Sequence, residues 1–146
     1  MYERILITTD GTALSKKAVE AGLTLAAKLD AEVVAYMAVP RYPHLYFEGA
    51  VVLTPAETAR IEKEWTTQAQ SVVDAVQKQA QERHVKATAL IGHGEVAQGI
   101  ISAAKKHKCD LIVMASHGRK GLSRLLLGSE TLDVLTHSHT PVLVLR

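Results

Sequence analysis

Cysteine and aromatic residues are scarce in this sequence. Cys109 is the only cysteine, and aromatic side chains make up 4% of the chain. A lone cysteine excludes an internal disulfide and fits a reducing compartment. With so few aromatics, the core must be aliphatic. No apolar run approaches the roughly 20 residues that cross a bilayer, and the N-terminus lacks the cationic start of a signal peptide. We therefore expect a soluble cytoplasmic protein with no membrane partner.

Long runs of one charge are also absent. Lys and Arg number 17 against 15 Asp and Glu, which gives a net charge of +2. A nucleic-acid-binding domain concentrates positive charge on one face. The two short basic pairs, Lys16-Lys17 and Lys105-Lys106, are interpreted as solvated helix faces. We expect no nucleic-acid partner.

Apolar runs rich in β-branched residues alternate with segments of helical periodicity. Strands are predicted at Arg4 to Thr9, Glu32 to Val39, Val85 to Ile91, Asp110 to Ala115 and Pro141 to Leu145. Helices are predicted after a Ser15 N-cap, after a capping box of Thr54 and Glu57 with Pro55 in its first turn, from Glu95 to His107, from Leu122 to Leu127, and after Ser129. This alternation over 146 residues predicts a single α/β domain with a parallel sheet and helices on both faces.

The loop after the fourth predicted strand concentrates residue types that hold phosphates. Gly118, Gly121 and Gly128 allow a ligand to approach the backbone closely. Ser129 precedes a predicted helix, where free N–H groups and the helix dipole favour an anion. Hydroxyls and cations follow the same stretch, at Ser116, Arg119, Lys120, Ser129 and Thr131. The alternative is a plain loop with turn glycines and a serine N-cap, and the residue chemistry alone leaves the two about even.

Two other nucleotide patterns are weaker. The Walker A sequence is absent, which argues against a P-loop NTPase. Gly92-x-Gly94-x-x-Ala97 resembles a dinucleotide fingerprint, but the acidic residue of the next strand, Asp110, stands at its start and not at its end. Glycines that permit a tight strand-to-helix turn explain this pattern better.

Catalytic and metal-binding patterns are not evident. His137 and His139 lack further ligands of known position. Ser116 and His117 are sequence neighbours whose side chains we expect to point apart, and no G-x-S-x-G elbow is present. Cys109 is expected to be a packed thiol. We assign no catalytic residue and no metal ligand.

Both ends of the chain carry a family resemblance. The stretch MASHGRKGLSRLLLGSETLDVLTHSHTPVLVLR resembles the C-terminal third of the universal stress protein family. The family's ATP motif is G-x-x-G, nine residues, then G-[ST], and this chain has Ala115-x-x-Gly118, nine residues, then Gly128-Ser129. ILITTDGTALSKKAVEAGLTLA is similar to the family's first strand, Asp-containing loop and first helix. Residues 40 to 84 match only in general character.

The resemblance implies a fold, a ligand and a set of contacts. The fold is an open five-stranded parallel sheet of order 3-2-1-4-5, of the adenine nucleotide alpha hydrolase-like type, often joined into a homodimer through the last strand. The implied function is a regulatory protein of the stress response that binds ATP, with Mg²⁺ or Mn²⁺ carried by the nucleotide. Asp10 and Val39 would face the adenine and ribose, and Thr9 and Met114 would line the pocket. The implied phosphate contacts are Gly118, Arg119, Gly128, Ser129 and Thr131, and the same loop motif also contains Ala115, Ser116, His117 and Glu130.

Ala115 is the departure, because the motif has its first glycine there. If its methyl group crowds the ligand, the cost is about 1–3 kcal/mol, a tenfold to hundredfold loss of affinity. The alternative is that it is harmless, because alanine fits a strand end and its side chain is small. Three hypotheses follow: an ATP-binding regulator with at most slow hydrolysis, a dimeric interaction module that has lost the nucleotide, and a nucleotide-dependent hydrolase or nucleotidyl transferase. The second rests on Ala115 alone, and the third lacks a catalytic constellation. We favour retained ATP binding.

Overall fold

The structure is a computed structural model, and it describes residues 1–41, 54–118 and 127–146. The strands in these ranges are β1 (Arg4–Thr8), β2 (Glu32–Val39), β3 (Ala87–His93), β4 (Leu111–Ala115) and β5 (Val142–Leu145). The helices are α1 (Ala13–Leu29), α2 (Pro55–Glu82), α3 (Val96–Lys106) and α4 (Ser129–His137). The short helix expected from Leu122 to Leu127 falls almost entirely outside the described residues.

The five strands form one sheet of order β3-β2-β1-β4-β5, with every neighbouring pair parallel. This confirms the predicted α/β fold and strand order. Ile5 of the central strand pairs with Val33 on one side and Leu111 on the other. β3 starts two residues later than expected and includes Gly92 and His93, because its register with β2 continues to Val39.

Successive residues of each strand point into two separate cores. Ile7, Val33 and Val113 pack against α1 and α2, while Leu6, Val34 and Ile112 pack against α3 and α4. A sheet covered on both faces needs strands that are apolar on both sides, which explains their continuous hydrophobic runs. Tyr36 is the one aromatic residue among the buried hydrophobics of the described chain, so the prediction of an aliphatic core is confirmed.

The start of α1 differs from the sequence-based expectation. Thr12 is the N-cap, and its hydroxyl accepts from the Ser15 backbone N–H at 3.2 Å. Ser15 lies within the first turn of the helix, where it is buried and its hydroxyl bonds to that of Thr9 at 2.9 Å. Asp10 determines the earlier start, since its Oδ1 accepts from both the backbone N–H of Thr12 at 3.0 Å and its hydroxyl at 2.6 Å.

The start of α2 is as predicted. Thr54 and Glu57 form a capping box: Glu57 Oε2 accepts from the Thr54 N–H at 2.8 Å, and the Glu57 N–H donates to the Thr54 hydroxyl at 3.2 Å. Hydrogen bonds from the backbone and hydroxyl of Thr54 lower the pKa of Glu57. Among all helices of the described ranges, none combines the length and apolar character that a bilayer crossing requires.

The glycines of Gly92-x-Gly94 have packing and conformational roles. A Cβ on Gly92 would lie 2.8 Å from Cζ of Tyr36, so only glycine leaves room for that ring. Gly94 has a φ of +108° and turns the chain into α3, while its N–H donates to the carbonyl of Val39 at 3.1 Å. The structure accounts for this pattern without a dinucleotide.

Candidate functional site

The candidate site lies where β1 and β4 end side by side. The chain leaves β1 toward α1 on one face of the sheet and leaves β4 toward α4 on the other, and open α/β sheets bind ligands in the crevice beside such a divergence. Asp10 follows β1, and Gly118 follows β4. A Cβ built on Gly118 would lie 3.1 Å from Asp10 Oδ2, so the two loops are in contact. The structure therefore brings together two predicted site residues that are 108 positions apart.

Asp10 is held rigidly at this point. Its Oδ1 is engaged by Thr12, as described above, which leaves Oδ2 on the side of Gly118. Thr9 is buried, and its hydroxyl bonds to Ser15 and accepts from the Gly11 N–H at 3.2 Å. This arrangement was not predicted, although the spacing Asp10-x-Thr12 is typical of a side chain that bonds the backbone two residues on.

The N-terminus of α4 contacts the loop after β4. Gly128 is its N-cap, not Ser129 as expected, and no side chain of the described residues caps the helix. The Gly128 N–H donates to the carbonyl of Ser116 at 2.8 Å, and a Cβ at this position would lie 3.2 Å from that oxygen and 3.3 Å from Cα of His117. The glycine is required here for close backbone approach, and the helix dipole points at the same loop.

The Thr131 side chain connects α4 to the end of β4. The residue is 2% exposed. Its hydroxyl donates to two carbonyl oxygens, that of Ala115 at 2.9 Å and that of Ser116 at 3.1 Å. The expectation that this hydroxyl reaches a phosphate needs correction, because its proton is already engaged by the protein. The Ser129 hydroxyl is more exposed and donates to Glu130 Oε2 at 3.2 Å.

Ser116 and His117 also differ from expectation. Their side chains do not point apart: Ser116 Oγ lies 3.0 Å from His117 Nδ1. The bend that follows β4 allows neighbouring side chains to turn toward each other, which a continued strand would prevent. The Ser116 N–H donates to the carbonyl of Leu145 at 2.7 Å. The amides of Ser116 and Gly128 are thus paired within the protein and cannot serve an anion.

Three further predicted residues form the buried support of the site. Val39, Met114 and Ala115 are 2%, 4% and 8% exposed. Met114 packs in the core under α3 and α4, and Ala115 packs in the core on the side of α1. The Ala115 methyl group therefore belongs to the packing of the sheet. Arg119 lies outside the described residues.

The remaining titratable candidates lie away from this crevice. Within the described ranges, no three His, Cys, Asp or Glu side chains gather into a metal site, and His137 Nδ1 lies 3.0 Å from the carbonyl of Asp133. Cys109 is buried, and desolvation raises the pKa of its thiol to about 11. Two cavities lined by described residues also lie elsewhere: one beside α1 and one at the amino ends of β2 and β3.

Comparison with known proteins identifies the family. The model of the universal stress protein family matches residues 1–146. The chain belongs to this family. A universal stress protein of Methanocaldococcus jannaschii is 36% identical over 148 residues, covering 100% of this chain and 83% of the relative. A universal stress protein of Bacillus subtilis is 31% identical over 150 residues, covering 100% of both chains.

Solved universal stress proteins have the same fold. The one from Lactobacillus plantarum superposes with a TM-score of 0.84 at 23% identity, covering 99% of this chain and 98% of that one. A universal stress protein solved in complex with cAMP gives a TM-score of 0.71 at 21% identity, covering 99% and 97%. The Archaeoglobus fulgidus protein in complex with dAMP gives 0.64 at 14% identity, covering 99% and 98%.

Proposed function

We propose that this universal stress protein is a cytoplasmic regulator that binds ATP in the crevice between the ends of β1 and β4. The observation that carries the proposal is the close approach of the loops after β1 and β4, since a Cβ built on Gly118 would lie 3.1 Å from Asp10 Oδ2. The Asp10 carboxylate therefore lies next to Gly118, in the loop that the N-terminus of α4 also contacts. Solved relatives of the same fold are complexes with adenine nucleotides, cAMP and dAMP.

In this proposal the nucleotide spans the crevice. Asp10 and the end of β2 at Val39 hold the adenine and ribose, with Thr9 and Met114 as the buried floor. The backbone N–H groups of Gly118 and of the first turn of α4 bind the phosphates, assisted by Arg119 and by the hydroxyl of Ser129. The residues present fit this role, since α4 lacks a side-chain cap within the described chain and the helix dipole favours an anion there. Mg²⁺ or Mn²⁺ would be carried mainly by the phosphates.

Ala115 supports retained binding. Its methyl group packs in the core on the α1 side of the sheet, so its size is accommodated by the protein's own packing. Slow turnover at most is proposed, because no residue of the described chain has a clear geometric role as a general base beside the proposed phosphates.

The direct experiment is to denature the protein as purified and to analyse the released small molecules for adenine nucleotides. Mg-ATP is then titrated while the melting temperature Tm is followed, because a ligand that binds only the folded state must raise it. Gly118→Val is expected to abolish the shift while circular dichroism stays unchanged, since a branched side chain would fill the contact with Asp10. Ser102→Ala, an exposed serine of α3, is the matched control for Ser129→Ala, which should weaken binding.

Three outcomes distinguish the hypotheses. Neither released nucleotide nor a thermal shift would reject ATP binding and leave the interaction module. Multiple turnovers per minute that Ser129→Ala abolishes would establish an enzyme instead. Unchanged ATP affinity in Gly118→Val would mean that the phosphates lie elsewhere.

A homodimer through β5 is the proposed assembly. Within the described chain β5 pairs only with β4, so its other edge is open to a second strand. Leu143 on this strand is 39% exposed, and Leu132 and Leu135 of α4 are 53% and 40% exposed. Sedimentation should report a dimer that Leu132→Glu/Leu135→Glu weakens; a monomer at all concentrations would reject this assembly.

A further inference from the structure

Ser116, the first residue after β4, is hydrogen-bonded through each of its polar atoms. Its N–H donates to the carbonyl of Leu145 at 2.7 Å, and its own carbonyl accepts from the Gly128 N–H at 2.8 Å and from the Thr131 hydroxyl at 3.1 Å. Its Oγ lies 3.0 Å from Nδ1 of His117. These contacts hold the Ser116 side chain in one position, and with it the imidazole of the next residue.

The contact between Ser116 and His117 determines which nitrogen of the ring carries the proton. Ser116 is 3% exposed, and Nδ1 of His117 is the only hydrogen-bond partner of its hydroxyl among the described residues. A serine hydroxyl has one proton to donate, and leaving that proton buried without an acceptor is costly. The Ser116 hydroxyl therefore donates to Nδ1. A neutral imidazole that accepts at Nδ1 carries its own proton at Nε2.

Nε2 of His117 is the atom of this pair that is left for a ligand. The residue is half-buried, and its Nε2 has no hydrogen-bond partner within the described ranges. His117 also contacts the N-terminus of α4, because a Cβ built on Gly128 would lie 3.3 Å from its Cα. Other donors of this region are already used by the protein, namely the amides of Ser116 and Gly128 and the hydroxyl of Thr131. The imidazole N–H adds a donor where the helix dipole favours an anion.

We infer that Ser116 fixes His117 in the Nε2–H tautomer and that this ring donates a hydrogen bond to a phosphate group of the bound nucleotide. The inference rests on the proposed function and adds a side-chain donor to its phosphate contacts. Ser116 is then a positioning residue that acts through His117. The opposite tautomer would leave Nε2 unprotonated, and an unprotonated Nε2 beside the phosphates could take a proton from an attacking water. The tautomer therefore separates a loop that binds a nucleotide from one that hydrolyses it.

The tautomer is measured on the protein without ligand. Long-range ¹H–¹⁵N correlation spectra of the imidazole rings distinguish protonated from unprotonated nitrogens, at a pH above the range in which histidine becomes charged. We expect Nε2 of His117 to be protonated, and Nδ1 to show the shift of a hydrogen-bonded acceptor relative to the exposed ring of His139. Ser116→Ala should move the Nδ1 shift to that of His139. Ser116→Thr, which keeps the hydroxyl, should restore it.

Two substitutions of His117 test the hydrogen bond to the nucleotide. His117→Gln places an amide N–H near the position of Nε2, whereas the side chain of His117→Asn is too short to reach it. His117→Asn should weaken Mg-ATP binding about tenfold to hundredfold, the effect of losing a hydrogen bond to a charged group, while His117→Gln should retain most of the affinity. His139→Asn, at the opposite end of the sheet, is the matched control and should leave the affinity unchanged. Melting temperatures without ligand check that each variant is folded.

Four results would overturn the inference. A protonated Nδ1 in the ring spectrum would refute the tautomer, whatever the protein binds. Equal loss of Mg-ATP affinity in His117→Gln and His117→Asn would mean that the ring only fills space. Multiple turnovers that His117→Gln abolishes would make the ring a base. If the native chain binds no Mg-ATP, the proposed function fails and the phosphate contact fails with it, while the ring spectrum still reports the tautomer separately.

Discussion

Thr131→Val tests how the candidate site is held together. Valine has nearly the shape of threonine, so the change removes the hydroxyl without opening a cavity. The hydroxyl is the side-chain link between α4 and the end of β4, where it lies 2.9 Å from the carbonyl of Ala115 and 3.1 Å from that of Ser116. Because Thr131 is 2% exposed, water cannot replace it. Ser116 retains its bond from the Gly128 N–H.

The expected loss in free energy of unfolding is about 1–3 kcal/mol, the cost of leaving a buried acceptor without its donor. For a domain of this size the same loss lowers Tm by about 2–12 °C. Urea denaturation should show a lower midpoint with an unchanged slope, since the same surface is exposed on unfolding. We also expect weaker Mg-ATP binding, because the first turn of α4 is released from the loop after β4.

Two variants serve as controls. Thr136→Val lies on the same helix, where the exposed hydroxyl donates to the carbonyl of Leu132 at 2.8 Å, and its loss should change stability by less than about 0.5 kcal/mol. Thr131→Ser keeps the hydroxyl and should recover most of the loss. The reasoning is refuted if Thr131→Val and Thr136→Val have equal effects on the urea midpoint.

Three further predictions follow from local contacts. Gly22→Ala should destabilise the protein by about 1–3 kcal/mol, because the new Cβ would lie 2.6 Å from Cδ1 of buried Ile7. This loss should exceed the gain from the better helix propensity of alanine, and a higher Tm would contradict the prediction. Thr54→Ala should cost about 1 kcal/mol by removing the capping box with Glu57, seen as faster amide exchange in the first turn of α2, and unchanged exchange would contradict it. Burial raises the pKa of Cys109 to about 11 from an ordinary 9.0, so its contribution to stability is complete below pH 9.0 and declines as the pH rises toward 11. Chemical denaturation across this range should show a steeper decline for the native chain than for Cys109→Ala, and identical slopes would contradict the assignment.

Periodicity and local chemistry were sufficient for the α/β class and for the order of elements along the chain, whereas the strand order of the sheet was implied by the family resemblance. The apolar runs of β1, β2 and β4 are continuous because both faces of the sheet are covered, and that continuity is visible in the letters alone. The capping box of Thr54 and Glu57 was predictable because it is complete within four consecutive residues. The start of α1 was not predictable in this way, because Thr12 and Ser15 are both possible N-caps. Thr12 is the N-cap because it bonds to Asp10, while the Ser15 hydroxyl points inward and bonds to Thr9.

What the sequence determined by itself is therefore local: the order of strands and helices, the motif from Ala115 to Ser129, and the membership of a family. The tertiary structure decided which hydrogen-bonding atoms of that motif remain free to bind a ligand. It paired the amides of Ser116 and Gly128 and the hydroxyl of Thr131 within the protein, and it set Gly118 against Asp10. These hydrogen bonds join residues 12 to 29 positions apart, and the approach of Gly118 to Asp10 joins residues 108 positions apart. Their geometry depends on the packing of the whole sheet.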